Sequence, residues 1–393
     1  MSVVKEGWTY KKLGNICDIL NGYAFKGNTY VANGIRVIRI SNVQKGIVED
    51  KDPKFFPLSS KKVIENYLLN EGDLLISLTG NVGRVGLLCR ELLPAALNQR
   101  VACLRLIDIN IDKRYLYHFL NSEYFENICI NNSKGVAQLN LSTVWLSNFA
   151  IPVPPIPIQQ SIVSEFDKIN ELIALKKSQL KDLDALAQSI FYEMFGDPVE
   201  NEKGWNTKAL ETFTKTCGGG TPSKSKSEYW NGNIPWVTSK DMKTTYIFDS
   251  LIHITEDGVN NSAAKILPKD TILLVNRSGI LKHSLPVAIT TREVTINQDL
   301  KALSIDKKIA VPIFILYCIK GSSHHLLGKV KAVTVDSINF SEFKLLQIPL
   351  PPISLQHQFA ERVESIERMK QQVQTAIKDL ETLLASRMQY WFD

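Results

Sequence analysis

The side chains best equipped for chemistry in this sequence are cations and amides set among small residues. From Lys215 to Lys243, five lysines stand against two acids, interleaved with Gly, Ser, Tyr and Trp. Such a segment offers positive charge to a polyanion, and the net charge of +6 permits that partner without demanding it. Side chains that would carry catalysis stand at no recognisable spacing. No G-x-x-x-x-G-K-[ST] loop, G-x-S-x-G elbow or H-E-x-x-H pair occurs. "CGGGTPS" (217–223) lacks the strand before and helix after that a nucleotide fingerprint needs, so it reads as a flexible turn. The six histidines are scattered, with His324-His325 in a helix-terminal segment that offers no metal set. Cys17, Cys89, Cys103, Cys129, Cys217 and Cys318 form no C-x-x-C pair and read as structural thiols. No catalytic or metal-binding residue is therefore assigned.

The elements that position these groups come in duplicate. Sliding the chain by 197 residues lays Gly7-Trp8 on Gly204-Trp205, Leu13 on Leu210 and Asp73 on Asp270. The same shift lays "IPVPPIPIQQ" (151–160) on "IPLPPISLQH" (348–357), while "LNQR" at Leu97 and "INQD" at Ile296 are offset by 199. With 393 residues and 44% hydrophobic content, the chain is long enough for two such units, each with a core.

Each unit opens with a globular head rich in Gly, Asn and Ser. The runs "IRVIRI", "DLLISL", "VACLRL", "TILLV" and "AVTV" predict strands by length and β-branched content. "KRYLYHFLNSEYFENIC" (113–129) and "VPIFILYCI" (311–319) predict one helix per head, giving an α+β fold. Prolines should hold "IPVPPIPI" extended as a hinge, after which neither Pro nor Gly interrupts 159–195.

That stretch carries a narrow apolar stripe: Ile162, Phe166, Ile169, Ile173, Leu180, Leu183 and Ile190. The second copy repeats it as Phe359, Val363, Ile366, Val373, Ile377, Leu380 and Leu384, with Lys176 and Arg387 interrupting the two seams. At about 1.5 Å per residue each helix is roughly 55 Å long. A one-striped helix of that length needs an equally long partner, and its own duplicate is available. The expectation is an antiparallel intramolecular coiled coil in a pseudo-two-fold protein. Its parts are a first head (1–150), hinge and helix (151–199), second head (200–347), and hinge and helix (348–393). No apolar run reaches membrane-spanning length, and the first residues lack a signal-peptide core, so a cytoplasmic location is expected.

The pattern resembles the specificity subunit of a type I restriction–modification enzyme, over nearly the whole chain. "NGYAFKGNTY" (21–30), "GDLLISLTGNVGRVG" (72–86) and "LNQRV" (97–101) carry the likeness in the first head. "GGGTPSKSKSEYWNGNIPWVTSKDM" (218–242) and "INQD" (296–299) carry it in the second. The most specific feature is the "IP-x-PP" phrase before a helix ending near "MFGD" or "WFD". The resemblance implies a non-catalytic subunit with two target-recognition domains, each reading one half of a split double-stranded DNA sequence. It implies helices that set the gap and dock two methylation subunits, with restriction subunits able to join. S-adenosylmethionine and ATP would then bind those partners, and no cofactor is expected on this chain.

Reading DNA takes cations on phosphates for affinity and amide or guanidinium groups on base edges for sequence. In the first head the candidates are Tyr23, Lys26, Asn28, Tyr30, Asn42, Lys45, Thr79, Asn81, Arg84, Arg100 and Lys134. In the second they are Thr221, Ser223, Lys224, Lys226, Tyr229, Ser239, Lys240, Arg277, Lys282, His283 and Lys331. Any one polar loop residue is more often merely solvated. Trp230 could stack near DNA, Trp236 reads as core, and Gln99 and Gln298 read as ligands of the backbone inside the fold. The two heads differ in most loop residues, so an asymmetric target is expected. Two other functions fit fewer of these features: a coiled-coil adaptor that binds no DNA, and a self-sufficient DNA methyltransferase. The latter lacks the [DN]-P-P-[YF] motif that grips a flipped base.

Overall fold

The computed structural model describes residues 7–135, 138–328, 331–332 and 336–392. The first six residues, and Val333–Val335 of the expected "AVTV" strand, lie outside these. The chain divides into two units, Met1–Ser178 with Gln374–Asp393 and Gln179–Val373.

In the first unit a five-stranded sheet runs in the order Cys17–Asn21, Val101–Leu106, Leu74–Ser77, Val85–Leu87, Gly46–Ile47. Every residue of Leu74–Ser77 is buried, the pattern of a strand covered on both faces. Alternation then sorts its side chains: Leu74 and Ile76 join the core beneath the helices, and Leu75 joins a second cluster with Ile38, Leu97 and Val101. A three-stranded sheet places Ile35–Ile38 between Phe55–Phe56 and Ala95–Leu97, the last pair being parallel. The second unit repeats both sheets. Its five strands follow the order Thr214–Gly218, Leu300–Ile305, Ile272–Val275, Val287–Thr290, Tyr246–Ile247, and Trp230–Val237 lies between His253–Ile254 and Thr295–Ile296.

The single helix expected over 113–129 is two, Lys113–Leu120 and Glu123–Asn131. Ser122 breaks it, its hydroxyl donating to Phe119 O (2.6 Å) and accepting from Phe125 N to cap the second helix. The expected helix at 311–319 forms as Pro312–Gly321.

The proline phrases are clamped joints rather than free hinges. Ala150–Val153 pairs antiparallel with Thr9–Lys12, and Gln347–Pro349 pairs with Thr207–Ala209. Proline is tolerated there because each ribbon has only two strands. Extension also ends sooner than expected. The long helices span Ile156–Phe195 and Ile353–Phe392, so Pro157 lies in a first helical turn, where its missing N–H costs nothing. At 40 residues each is about 60 Å long.

Each unit by itself holds an antiparallel pairing of these helices. In the first, Glu165 bonds Arg387, and Lys177 lies 3.0 Å from Glu381. In the second, Phe191 and Phe195 meet Phe359, and Asp184 lies 2.7 Å from Lys370. Ile162, Phe166, Ile169, Ile173, Leu183, Phe359, Val363, Ile366, Val373 and Ile377 are buried, whereas Leu180, Leu380 and Leu384 are half-buried.

Two corrections to the expected seam follow. Ile162 and Phe166 enter the core of the first head together with Phe392, so a helix start and a helix end both serve a head. Ile190 is only half-buried, and Phe191 and Phe195 take the inward positions against Phe314 of the second head. A straight helix of 3.6 residues per turn drifts off a strict seven-residue repeat, and here the final turns face a head.

Candidate nucleic-acid interface

In both heads three chain segments converge on one tight turn. In the first head that turn is Asn98–Arg100, between Ala95–Leu97 and Val101–Leu106. The loop after Gly22 is zipped to it: Tyr23 N donates to Leu97 O (2.8 Å) and Gln99 N to Tyr23 O (3.0 Å). Asn98 N donates to Ile38 O (3.1 Å), and Leu78 N donates to Arg100 O (3.0 Å). Gly22 permits the contact, since a Cβ there would stand 2.2 Å from the Asn98 carbonyl.

The second head builds the same junction on Asn297–Asp299. Gly220 N donates to Ile296 O (3.0 Å), Asn297 N to Val237 O (3.0 Å) and Arg277 N to Asp299 O (3.1 Å). A Cβ on Gly219 would stand 2.1 Å from Ile296 O. "CGGGTPS" is therefore a packed strand end and loop, further pinned by Trp236 Nε1 donating to Gly220 O (2.9 Å), rather than a flexible turn. Trp236 is buried, in keeping with its reading as core.

These junctions gather many of the candidates. Exposed Lys26 precedes the short helical turn Gly27–Thr29 on the Gly22 loop and exposed Asn28 lies within it, while Tyr23 and Tyr30 are half-buried against an aromatic cluster with Phe25 and Phe56. Arg100 stands exposed on the turn itself. Exposed Asn81 follows Leu78, and exposed Lys134 reaches the same segment through Asn140, which pairs with both Lys134 and Thr79.

In the second head the Thr221 hydroxyl donates to Gln298 Oε1, and exposed Ser223 and Lys224 follow on the same loop. Trp230 braces that loop, its Nε1 donating to Ser223 O (3.1 Å), and is half-buried against Trp236. Half-buried Ser239 and exposed Lys240 continue from the Val237 strand end. Exposed Lys282 and His283 follow Arg277 through a short helical turn.

Other candidates are committed elsewhere. Asn42 is buried, accepting from Arg39 N and donating to Glu49 O and Lys51 O, so its amide holds a turn, both of its donors are spent, and burial closes it to a base. Thr79 and Tyr229 are buried, and the Tyr229 ring receives the Lys226 ammonium, which also donates to its hydroxyl (3.0 Å). Lys45 pairs with Glu126 (3.1 Å), Arg84 donates to Gln44 (2.8 Å), and Arg277 is neutralised by Asp299 (2.7 Å). Lys331 lies in the strand Lys331–Ala332, paired with Asp336–Ser337, and its side chain is outside the described part.

The inward reading of Gln99 and Gln298 is overturned. Both side chains are exposed, and the preceding asparagines do the internal bonding: Asn98 Oδ1 accepts from Arg100 N and Asn297 Oδ1 from Asp299 N, each at 3.2 Å. The Asn-Gln pair recurs at an offset of 199 with different flanks, and that recurrence was the available signal.

Four of the six cysteines fit the structural reading, whereas Cys89 is exposed and Cys217 half-buried. Cys17, Cys103, Cys129 and Cys318 are buried, and burial pushes the thiols of Cys17 and Cys129 up to about 12. Among the described residues no helix is long and apolar enough to cross a membrane.

Comparison with known proteins places these features. The family profile of the type I restriction modification DNA specificity domain matches twice, over residues 5–185 and 202–381. The EcoR124I/EcoR124II specificity subunit of Escherichia coli is 30% identical over 296 residues, covering 71% of this chain and 69% of that protein. The EcoBI specificity subunit of the same organism is 23% identical over 98% of this chain and 85% of its own. A chain solved in work on complex assembly and conformational transition of the type I R-M system superposes with a TM-score of 0.61 at 16% identity, covering 99% of this chain and 98% of that one. The S subunit from M. genitalium gives a TM-score of 0.51 at 15% identity over 98% and 96%. With both halves matched in sequence and the duplicated fold shared, this chain belongs to the type I restriction–modification DNA specificity subunit family.

Proposed function

We propose that the chain reads an asymmetric, bipartite sequence on double-stranded DNA, each head taking one half. The long helices set the unread gap and dock two methylation subunits, and restriction subunits are able to join. The chain itself is non-catalytic: S-adenosylmethionine belongs to the methylation partners and ATP to the restriction partners.

The observation that carries this reading is the junction repeated in both heads. One backbone frame presents different exposed side chains: Lys26, Asn28 and Arg100 in one head, Ser223, Lys224 and Lys240 in the other. A rigid frame with variable amides and cations suits base-edge readout anchored by phosphate contacts. Two frames with unlike side chains suit two unlike half-sequences.

The test is to map methylated adenines genome-wide in a host with and without this chain. A split motif that vanishes with the chain supports the proposal. An unchanged methylation pattern, together with duplex binding by the assembled complex that barely weakens with salt, would instead favour an adaptor that does not read DNA. Uptake of S-adenosylmethionine by the chain alone would favour a methyltransferase.

A further inference from the structure

The heads differ in most of their loop residues, yet each keeps a glutamine at the centre of its junction. Gln99 and Gln298 both project exposed from a turn to which three segments are bonded, so their backbones are fixed while their amides face outward. The asparagine before each also recurs and bonds its own turn, but the residues around the pair do not match. Arg100 in one turn corresponds to Asp299 in the other, and Leu78 corresponds to Arg277. A side chain held constant while its surroundings change sign is suited to a feature that both half-sequences share. An amide presents one acceptor beside one donor, the complement of N6–H and N7 on adenine in the major groove. In the second head the Thr221 hydroxyl donates to Gln298 Oε1, which fixes the amide plane and leaves Nε2 and the second oxygen lone pair for a ligand.

We infer that Gln99 and Gln298 are equivalent specificity-determining residues, each reading an adenine that occurs in both halves of the target. Arg100 and the loop residues around each glutamine then supply what distinguishes the halves. This inference rests on the proposed reading of split DNA.

The experiment uses the full chain assembled with its methylation subunits and a duplex carrying the mapped target. Competitor duplexes replace individual adenines, in one half at a time, by 7-deazaadenine, which lacks N7. With the native chain, one such replacement in each half should weaken binding on the order of tenfold to a hundredfold. Gln99→Ala should weaken binding to the unmodified target by a similar factor and abolish the 7-deazaadenine penalty in one half only. Gln298→Ala should do the same for the other half. Both side chains are exposed, so folding should be unaffected, and Gln99→Glu and Gln298→Glu keep the shape while losing the donor.

Target halves without a common adenine would overturn the inference. So would alanine variants that bind as the native chain does, that weaken every duplex equally, or that keep the penalty in both halves. Each of these results leaves split-sequence reading intact. A complex that prefers no sequence at all removes that reading, and this inference with it.

Discussion

Glu165 and Arg387 face one another across the helix pair of the first unit as a forked ion pair. Trp391 Nε1 donates to the same carboxylate at 3.0 Å, and Arg387 lies over the Tyr390 and Trp391 rings. The hydrogen bonds from Arg387 hold the Glu165 carboxyl below the usual carboxylate range. At the matching positions of the second unit the residues are Arg362 and Ile190, so the device belongs to one unit only. Reversing the charge at either position, Glu165→Arg or Arg387→Glu, should lower the thermal midpoint of the first unit. The double reversal should recover most of the loss, a coupling that independent surface charges would not show.

Gln159 and Gln356 lock the two joints alike. Gln159 Oε1 accepts from Asp112 N (2.8 Å) while its Nε2 donates to Pro154 O (2.8 Å), and Gln356 accepts from Val311 N (2.9 Å) and donates to Pro351 O (2.9 Å). Both are buried, so removing either amide strands backbone groups away from water. Gln159→Ala and Gln356→Ala should each cost about 2–3 kcal/mol, read as a lowered urea midpoint for the unit concerned.

Acid should weaken the first unit in two stages. His118 Nε2 lies 2.7 Å from Asp167 Oδ1, and burial holds the imidazole below its ordinary value despite that partner. Burial pushes the Asp167 carboxyl up, but hydrogen bonds from Arg114 and His118 outweigh it and hold it below the carboxylate range. Both groups therefore take up protons more readily in the unfolded chain. Their contribution is complete above the ordinary imidazole value of 6.5 and is lost as pH falls, first through the histidine window and then below 3.8. Urea midpoints from pH 8 to 3 should show both steps, and His118→Gln should remove the upper one.

Lys26 and Lys224 are exposed, and under the proposed function they would contact phosphates. Lys26→Ala or Lys224→Ala should reduce the slope of log affinity against log salt by about one and weaken all duplexes alike, leaving the preferred sequence unchanged. Fluorescence titrations at several salt concentrations measure both effects.

Replacing residues 13–149 with the corresponding segment of another family member should change one half of the methylated motif and leave the other. The strands Thr9–Lys12 and Ala150–Val153 must stay together, because they pair with each other to form the joint. Methylation mapping reads the outcome, and a change in both halves would contradict modular reading.

Much of this architecture was legible because it depends on periodicity. A seven-residue stripe marked both long helices, and the 197-residue repeat marked both heads. The helix ends were misread where the stripe leaves its partner helix: Phe191 and Phe195 look like neighbours of a seam until Phe314 is seen opposite them. Residue type alone could not tell Asn42 from Asn28, since an amide that caps a buried turn and one that faces solvent are the same letter. The junction was hidden for a similar reason. Its bonds join backbone atoms from segments tens of residues apart, and side-chain chemistry records none of them. What the sequence did record was a glycine pressed against a carbonyl, at Gly22 and again at Gly219.

The first unit is discontinuous, its opening 178 residues completed by Gln374–Asp393 with Phe392 in the shared core, while the second unit is one uninterrupted stretch. On the ribosome, then, the earlier-made half must wait for a segment made after the whole of the other before its interior can close, whereas the later half can mature as soon as it emerges. A product cut short before Gln374 would leave that interior open while its second reader was already complete.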